Sequence, residues 1–328
     1  MKTAVIIGAS GHAGSYITPQ LVKDGYKVIA LSRGNRKPYT IEMPEWKKVE
    51  RVCVDRLALE KEGGFGNFIA KFRPDVVCDT IAYRVEQSRQ LCECLDSNTH
   101  LIQLGTIWVY GYKLKVPVTE EHPRTSTDDY GVFKTEIENY LFELTQIGKI
   151  RATVIQPGHI SGRGWLPINP QGNLNQKIFQ SIIHGEEITL PDNGQCTLQH
   201  IHSQDIASLV SACLKNPHAS VGQTFHATAA KAVTLTGYAE ILYRKFGHCP
   251  RICYCPWDKL RKTIPENDAA ITENHMKHSP VCSMEKAEKK LGFIPGFSII
   301  ETIMDSLDWQ IKNRFLKLVE GTNENFPN

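Results

Sequence analysis

A chain of 328 residues, 41% hydrophobic and 22% charged, is a globular protein with room for one large domain or two joined ones. Its formal net charge of +3 offers no argument for nucleic acid or a membrane surface as a partner. No apolar run reaches membrane-spanning length, and the apolar part of "MKTAVIIGASGHAG" is too short for a signal peptide before its glycine turn, so a cytoplasmic setting is expected.

In chain order, short apolar runs rich in β-branched residues predict strands at "KTAVIIG" (2–8), "YKVIALS" (26–32), "VERVCVD" (49–55), "PDVVCDTI" (74–81), "HLIQLGTI" (100–107) and "RATVIQPG" (151–158). Helical spacing appears between them at "GSYITPQLVKDG" (14–25), "GNFIAKF" (66–72), "VEQSRQLCECLD" (85–96) and "TEIENYLFELTQIG" (135–148). The apolar runs show little polar alternation, as strands covered on both faces do, and the alternation of strand with helix predicts an α/β fold with a doubly wound parallel sheet. Beyond residue 158 the pattern changes. "GRGWLPINPQGN" (162–173) reads as an irregular loop, and "NQKIFQSIIHG" (175–185) as a helix closed by Gly185. "SQDIASLVSACLKNP" (203–217) reads as a helix with Ser203 as its N-cap. The expected division is a dinucleotide-binding domain over 1–158, to which 200–228 returns, and a smaller interleaved substrate domain over 159–199 and 229–328.

The ten cysteines are scattered, several in apolar runs such as "RVCVD" and "DVVCDT", which suits reduced, buried thiols rather than a disulfide framework. The tightest cluster, His248, Cys249, Cys253 and Cys255, lacks a CxxC pair and reads as a buried strand carrying small thiols rather than a zinc site. His200 and His202 are expected to face opposite ways and to make a poor metal pair. No metal is expected.

Gly8, Gly11 and Gly14 follow the first strand and open the first helix. Glycine there permits a tight turn and close backbone approach to a pyrophosphate, and the helix N-terminus supplies free N–H donors. The second strand ends in Ser32 and Arg33 with no carboxylate for a ribose 2′-OH, and Arg36 and Lys37 follow. Arg33 can pair with a 2′-phosphate, so NADP(H) is expected over NAD(H). Asp55, closing the third strand, can accept from an adenine amino group or cap a helix. Tyr130 and Lys134 stand four apart on one helical face, a spacing that lets an ammonium lower a phenol's pKa for acid–base work.

These motifs resemble the extended short-chain dehydrogenase/reductases, the NAD-dependent epimerase/dehydratase family. The likeness runs through "GASGHAG", "LGTIWVYG" with Thr106 at the hydroxyl position, and Tyr130xxxLys134. It continues through "IQPGHISGRG", "HIHSQDIASLV" and "SMEKAEKKLGFIPGFSIIETI". By that resemblance Tyr130 is the acid/base, Lys134 lowers its pKa and holds the nicotinamide ribose, and Thr106 orients the reacting oxygen while hydride moves to or from the cofactor. The implied cofactor contacts are Gly8, Ser10, Gly11, His12, Ala13, Gly14, Ser32, Arg33, Asp55, Thr80, Ile81, Tyr83, Tyr130, Lys134 and Pro157. The resemblance also implies a homodimer through "VEQSRQLCECLD" (85–96) and the Tyr130 helix.

The departures bear on substrate. Leu198 stands where sugar-nucleotide members carry an Arg, "ENDAAITENHMKHSPVC" (266–282) holds no Arg, and His159 replaces the family Asn. A sugar nucleotide thus competes with a sugar, a polyol or another small carbonyl substrate. Thr106, Trp108, His159, Arg163, Trp165 and His200 are the candidate pocket residues, with Arg163 a possible substitute clamp. Dehydration is least supported, since Ile107 and Trp108 rather than an acid follow Thr106. The alternative is a non-catalytic NADP(H)-binding sensor, or a relative that binds a macromolecule such as RNA. No basic aromatic patch speaks for RNA.

Overall fold

The computed structural model describes residues 1–112 and 115–318. Six predicted strands form: β1 (Thr3–Ile7), β2 (Lys27–Ser32), β3 (Glu50–Cys53), β4 (Val76–Asp79), β5 (His100–Leu104) and β6 (Arg151–Pro157). Short strands β7 (His159–Ser161), β8 (Ile188–Pro191), β9 (Thr197–Leu198) and β10 (His200–His202) follow, and then β11 (Gln223–Ala227). The central sheet has the order β11-β6-β5-β4-β1-β2-β3 with every pair parallel. The chain leaves β6, builds separate structure, and returns at β11, where Phe225 sits opposite Ile155. The order reverses beside β1, so the crevice at the C-terminal ends of the strands opens at the glycine turn.

The helices lie on both faces. One face buries Ile6, Ile17, Leu21, Ile102 and Phe225 with Ile206 and Leu209; the other buries Val5, Ile29, Phe65, Val77, Leu101, Ile137 and Leu141. Strand β3 departs from expectation. It is the sheet edge, and Glu50, Arg51 and Cys53 are exposed while Val52 is half-buried. An apolar run is covered only as far as its place in the strand order allows, which short-range pattern does not encode.

On the first face lies α1 (His12–Lys23), which contains Pro19. Proline removes the N–H that would reach the Ser15 carbonyl. The Thr40 hydroxyl takes that carbonyl instead at 2.5 Å and itself accepts from Trp46 Nε1 at 3.0 Å. The loop after β2 is thus fastened to α1. On the other face are α2 (Arg56–Lys61), α3 (Phe65–Ala70), α4 (Val85–Cys92) and α5 (Asp129–Gln146).

In the second half, α6 (Gln176–Ile183) ends before Gly185, whose φ of 68° continues no helix. Helix α7 (Ser203–Lys215) is capped by His202, not Ser203: His202 Nδ1 accepts from Gln204 N at 3.0 Å. That capping also separates His202 from His200. Strand alternation alone would place residues i and i+2 on one face, so their divergence comes from the turn into α7. His202 lies at the strand's end and stacks on Phe297, whereas His200 packs against His159 and Tyr238. A third core joins Phe179, Leu190, Leu198, Tyr238 and Leu242 to the helix Ile299–Lys312.

Strand Ile252–Cys255 pairs with β8 but is not buried. Cys253 is exposed and Cys255 half-exposed; Cys249 and Cys53 are exposed too, while Cys78, Cys92, Cys213 and Cys282 are buried. Among the described residues no group of three His, Cys, Asp or Glu side chains is arranged to hold a metal, and no helix is long and apolar enough to cross a membrane.

Candidate active site and nucleotide groove

Gly8 turns the chain out of β1 with φ 87°, and a Cβ there would collide with Thr80 Oγ1 and Ile81. A Cβ on Gly14 would strike the Gly8 carbonyl and, at 2.8 Å, Ala9 Cα. Backbone fills both places, so these glycines are required by close approach of the strand-to-helix turn. The amide of Gly11 donates to the Gly8 carbonyl at 2.9 Å, and Gly11 caps α1 with no side-chain bond, leaving the helix end to a ligand.

Beside this turn runs a groove of about 1000 Å³. Of the expected cofactor residues it gathers Gly8, Ser10, Gly11, Ser32, Arg33, Asp55, Ile81 and Tyr83. Arg36 also lines it, held at 3.1 Å to the Tyr39 hydroxyl; Lys37 does not. The Asp55 carboxylate caps α2, accepting from Leu57 N at 2.9 Å, so one oxygen has structural work already. Missing from the sequence reading are Arg56, Glu60, Phe65, Arg84 and Gln87 in the groove wall. The size, the helix terminus without a side-chain cap and the bare glycine turn fit the adenosine and pyrophosphate portions of a dinucleotide.

His12, Ala13, Gly14 and Pro157 are buried rather than in the groove wall; the half-buried Thr80 is not in the wall either, and its hydroxyl donates to the Ile7 carbonyl at 2.8 Å. His12 stacks on Trp165 at 5.0 Å, and burial lowers its pKa to about 3.

Past the groove, Tyr83 stacks on Tyr130 with ring centroids 5.8 Å apart. Asp128 caps α5 through Gly131 N at 2.9 Å and sets Tyr130 in the first turn. Gly131 is glycine because a Cβ would collide with Ser126 and, at 2.9 Å, the Trp108 carbonyl. Tyr130 hydrogen-bonds Thr106, whose hydroxyl also accepts from Trp108 N at 3.2 Å. Lys134 is buried, with Nζ 5.8 Å from the Tyr130 ring centre and donating to the carbonyls of Ala82 at 2.6 Å and Leu104 at 3.0 Å. Thr106, Tyr130 and Lys134 are therefore brought together at the C-terminal ends of β4 and β5.

The electrostatics differ from expectation. Burial pushes the Tyr130 phenol above its ordinary pKa; the Thr106 hydrogen bond pulls it back in part, while Tyr83 and Asp128 add to the rise. Burial also lowers Lys134 from 10.5 to about 8, with Asp79 opposing and Arg56 adding to the fall. The net shift of the Tyr130 phenol is thus upward, and Lys134 is not among the groups that set it.

The candidate substrate residues divide. Trp108 stays with the Thr106, Tyr130 and Lys134 cluster, 6.5 Å from Tyr130, and stacks on His278 at 4.1 Å and edge-on to His275 at 5.4 Å. His275 lies 4.7 Å from His159, which lies 5.4 Å from His200. Burial depresses all three imidazoles, His200 to about 3 and His275 to about 4. No ring nitrogen of His159 or His200 makes a hydrogen bond of ordinary geometry. The spacing His275–His278 in "HMKH" puts both rings on one helical face and could have been read from sequence. Arg163 sits elsewhere: its guanidinium meets Glu42 at 2.7 Å and its amide meets Asp305 at 2.7 Å, beside a separate cleft of about 220 Å³. Trp165 goes with His12, not with Tyr130. Leu198 is fully buried in the third core.

A family model described as the NAD dependent epimerase/dehydratase family matches residues 4–227. Among curated relatives, the chloroplast stem-loop binding protein of 41 kDa b of Arabidopsis thaliana is 25% identical, over 93% of this chain and 78% of that protein. A UDP-glucose 4-epimerase of Rhizobium leguminosarum bv. trifolii is 21% identical over 95% and 98%. The fold is that of UDP-glucose 4-epimerase from Thermotoga maritima, solved with UDP-glucose: TM-score 0.69, 17% identity, 95% of this chain and 99% of that one covered. The chain belongs to the NAD dependent epimerase/dehydratase family, among the NAD-dependent oxidoreductases and epimerases of the extended short-chain type.

Proposed function

We propose that the protein transfers hydride at a secondary alcohol or ketone carbon, with Tyr130 as the acid/base and NADP(H) preferred to NAD(H). The observation that carries this reading is the hydrogen bond between Tyr130 and Thr106 beside the Lys134 ammonium, adjoining the groove through Tyr83. A bound nicotinamide would supply and accept the hydride. The chain's own residues handle the proton. A phenol held protonated by burial is ready to donate to a developing alkoxide, which suits the reducing direction. Thr106 orients that oxygen. Lys134 spends two N–H groups on backbone carbonyls and keeps a third for a ribose hydroxyl or the phenol. The NADP(H) preference rests on Arg33, which stands in the groove wall with no carboxylate paired to it among the described residues. A homodimer through α4 and α5 accompanies this reading.

For the substrate, the site's chemistry supports an uncharged sugar or small ketone over a sugar nucleotide. Trp108 stands edge-on to His275, which adjoins His159, both imidazoles depressed by burial; Leu198 is in the core and Arg163 is engaged with Glu42. None of these neutralises a diphosphate. The test is turnover of NADPH across a panel of sugars, ketones and UDP-sugars, with product analysis for epimers. Tyr130→Phe should abolish turnover and still bind cofactor; full activity in that variant would refute the assignment.

A second reading has one specific support, the similarity to a stem-loop binding protein. It predicts tight binding of an RNA stem-loop with no turnover on any carbonyl, and a gel-shift titration beside the substrate panel separates the two.

A further inference from the structure

The most heavily used side chain in the groove wall is Arg56, at 6% exposure. Its Nε meets Glu60 at 2.5 Å, and its Nη1 meets both Asp79 oxygens at 2.9 and 2.8 Å. The guanidinium lies 4.9 Å over the Phe65 ring, another wall residue. Its Nη2 is buried and has no partner. A buried guanidinium nitrogen left unpaired is costly, and an acceptor that reaches it recovers that cost.

Arg56 is tied to the catalytic set by two routes. Asp79, wholly buried at the end of β4, also accepts from the amides of Ile81 at 3.1 Å and Ala82 at 3.0 Å. Ala82 then holds Lys134 through its carbonyl. On the second route Glu60 accepts from Gln87 Nε2 at 2.8 Å, and Gln87 accepts from Tyr83 N at 2.8 Å. Tyr83 is the residue that stacks on Tyr130.

We propose that Arg56 couples occupancy of the nucleotide groove to the placement of Lys134, its free Nη2 donating to an acceptor on the adenosine half of the dinucleotide while Asp79 fixes the 81–82 backbone. Arg56 is a positioning residue for Lys134 and a direct contact for the nucleotide. This rests on the groove being the cofactor site, as proposed above.

The test uses the full chain and ADP alone as probe, by calorimetry, beside NADPH binding and turnover. Arg56→Lys keeps a cation for Asp79 but has no second nitrogen. ADP and NADPH affinity should fall together by about tenfold, the loss of one charged hydrogen bond. Turnover should fall while KM for the carbonyl substrate holds. Arg56→Lys and Asp79→Asn should lower kcat non-additively, because they break one route. Unchanged ADP affinity, or kcat losses that simply multiply, would overturn the inference. If Arg56→Lys does not fold, Arg56→Gln, which retains an amide for Asp79, is read the same way. Wild-type protein that binds neither ADP nor NADPH would instead overturn the cofactor reading itself, so the two failures are distinguishable.

Discussion

Lys134→Met exposes what the buried ammonium costs the fold. Lys134 is 6% exposed, and burial takes its pKa from 10.5 to about 8. Below about pH 8 the lysine is protonated in folded and unfolded chains alike, and the folded state bears the full cost of burying the charge. Between about pH 8 and 10.5 the unfolded chain holds a proton that the folded chain has released, so stability rises with pH. Above that window both forms are neutral. The drop from 10.5 to about 8 corresponds to about 3 kcal/mol. Methionine keeps much of the stem and cannot titrate, so the stability of wild type minus variant should grow by about 3 kcal/mol from pH 7.5 to 10.5. At neutral pH the variant escapes the buried charge but leaves the Ala82 and Leu104 carbonyls without a donor, at about 1–3 kcal/mol each. Near neutrality the two proteins should therefore be close in stability although the variant has lost its turnover. Urea unfolding followed by tryptophan fluorescence at a series of pH values reads the difference. A difference independent of pH, or one that shrinks as pH rises, would refute the assignment of a desolvated ammonium at this position.

Arg33→Ala should weaken NADPH binding by about tenfold or more and leave NADH binding nearly unchanged, since a 2′-phosphate pairs with a guanidinium and a 2′-OH does not; equal loss for both cofactors in fluorescence titrations would sink the preference. Gly14→Ala should destabilise the fold by about 1–3 kcal/mol despite alanine's better helix propensity, because the new methyl meets the backbone of Gly8 and Ala9; an unchanged urea midpoint would show that the turn relaxes freely.

What could be read from the sequence was local. The glycine turn, the Tyr130–Lys134 spacing and the Gly185 helix stop each depend on residues within a few positions of one another. Their physics, a Cβ too many or an i,i+4 face, is complete within that window. The edge position of β3 was not readable, since Cys53 and Cys78 sit in similar apolar runs and are separated only by strand order: one lies at the rim, the other in the middle of the sheet. The Asp128 cap that places Tyr130 is two residues from it, but the burial that raises its phenol, and the Thr106 and Tyr83 side chains that act on it in opposite directions, depend on segments from elsewhere in the chain.

The same distinction explains why two arginines of similar context diverge. Arg33 and Arg163 each follow a strand and stand beside a glycine, and sequence alone makes either a phosphate ligand. What separates them is a carboxylate: Glu42, far from Arg163 in the chain, lies 2.7 Å from its guanidinium, and Asp305 accepts its amide. Both carboxylates are brought there by the loop after β2 and by the C-terminal helix, the first fastened to α1 through Thr40, the hydroxyl that takes the carbonyl Pro19 vacates. Pro19, inside α1, is thus linked to the loop whose Glu42 engages Arg163. Arg33 thus stays at the groove wall while Arg163 is engaged elsewhere, and the Trp108 end is lined by His275 and His278 rather than by a guanidinium of either.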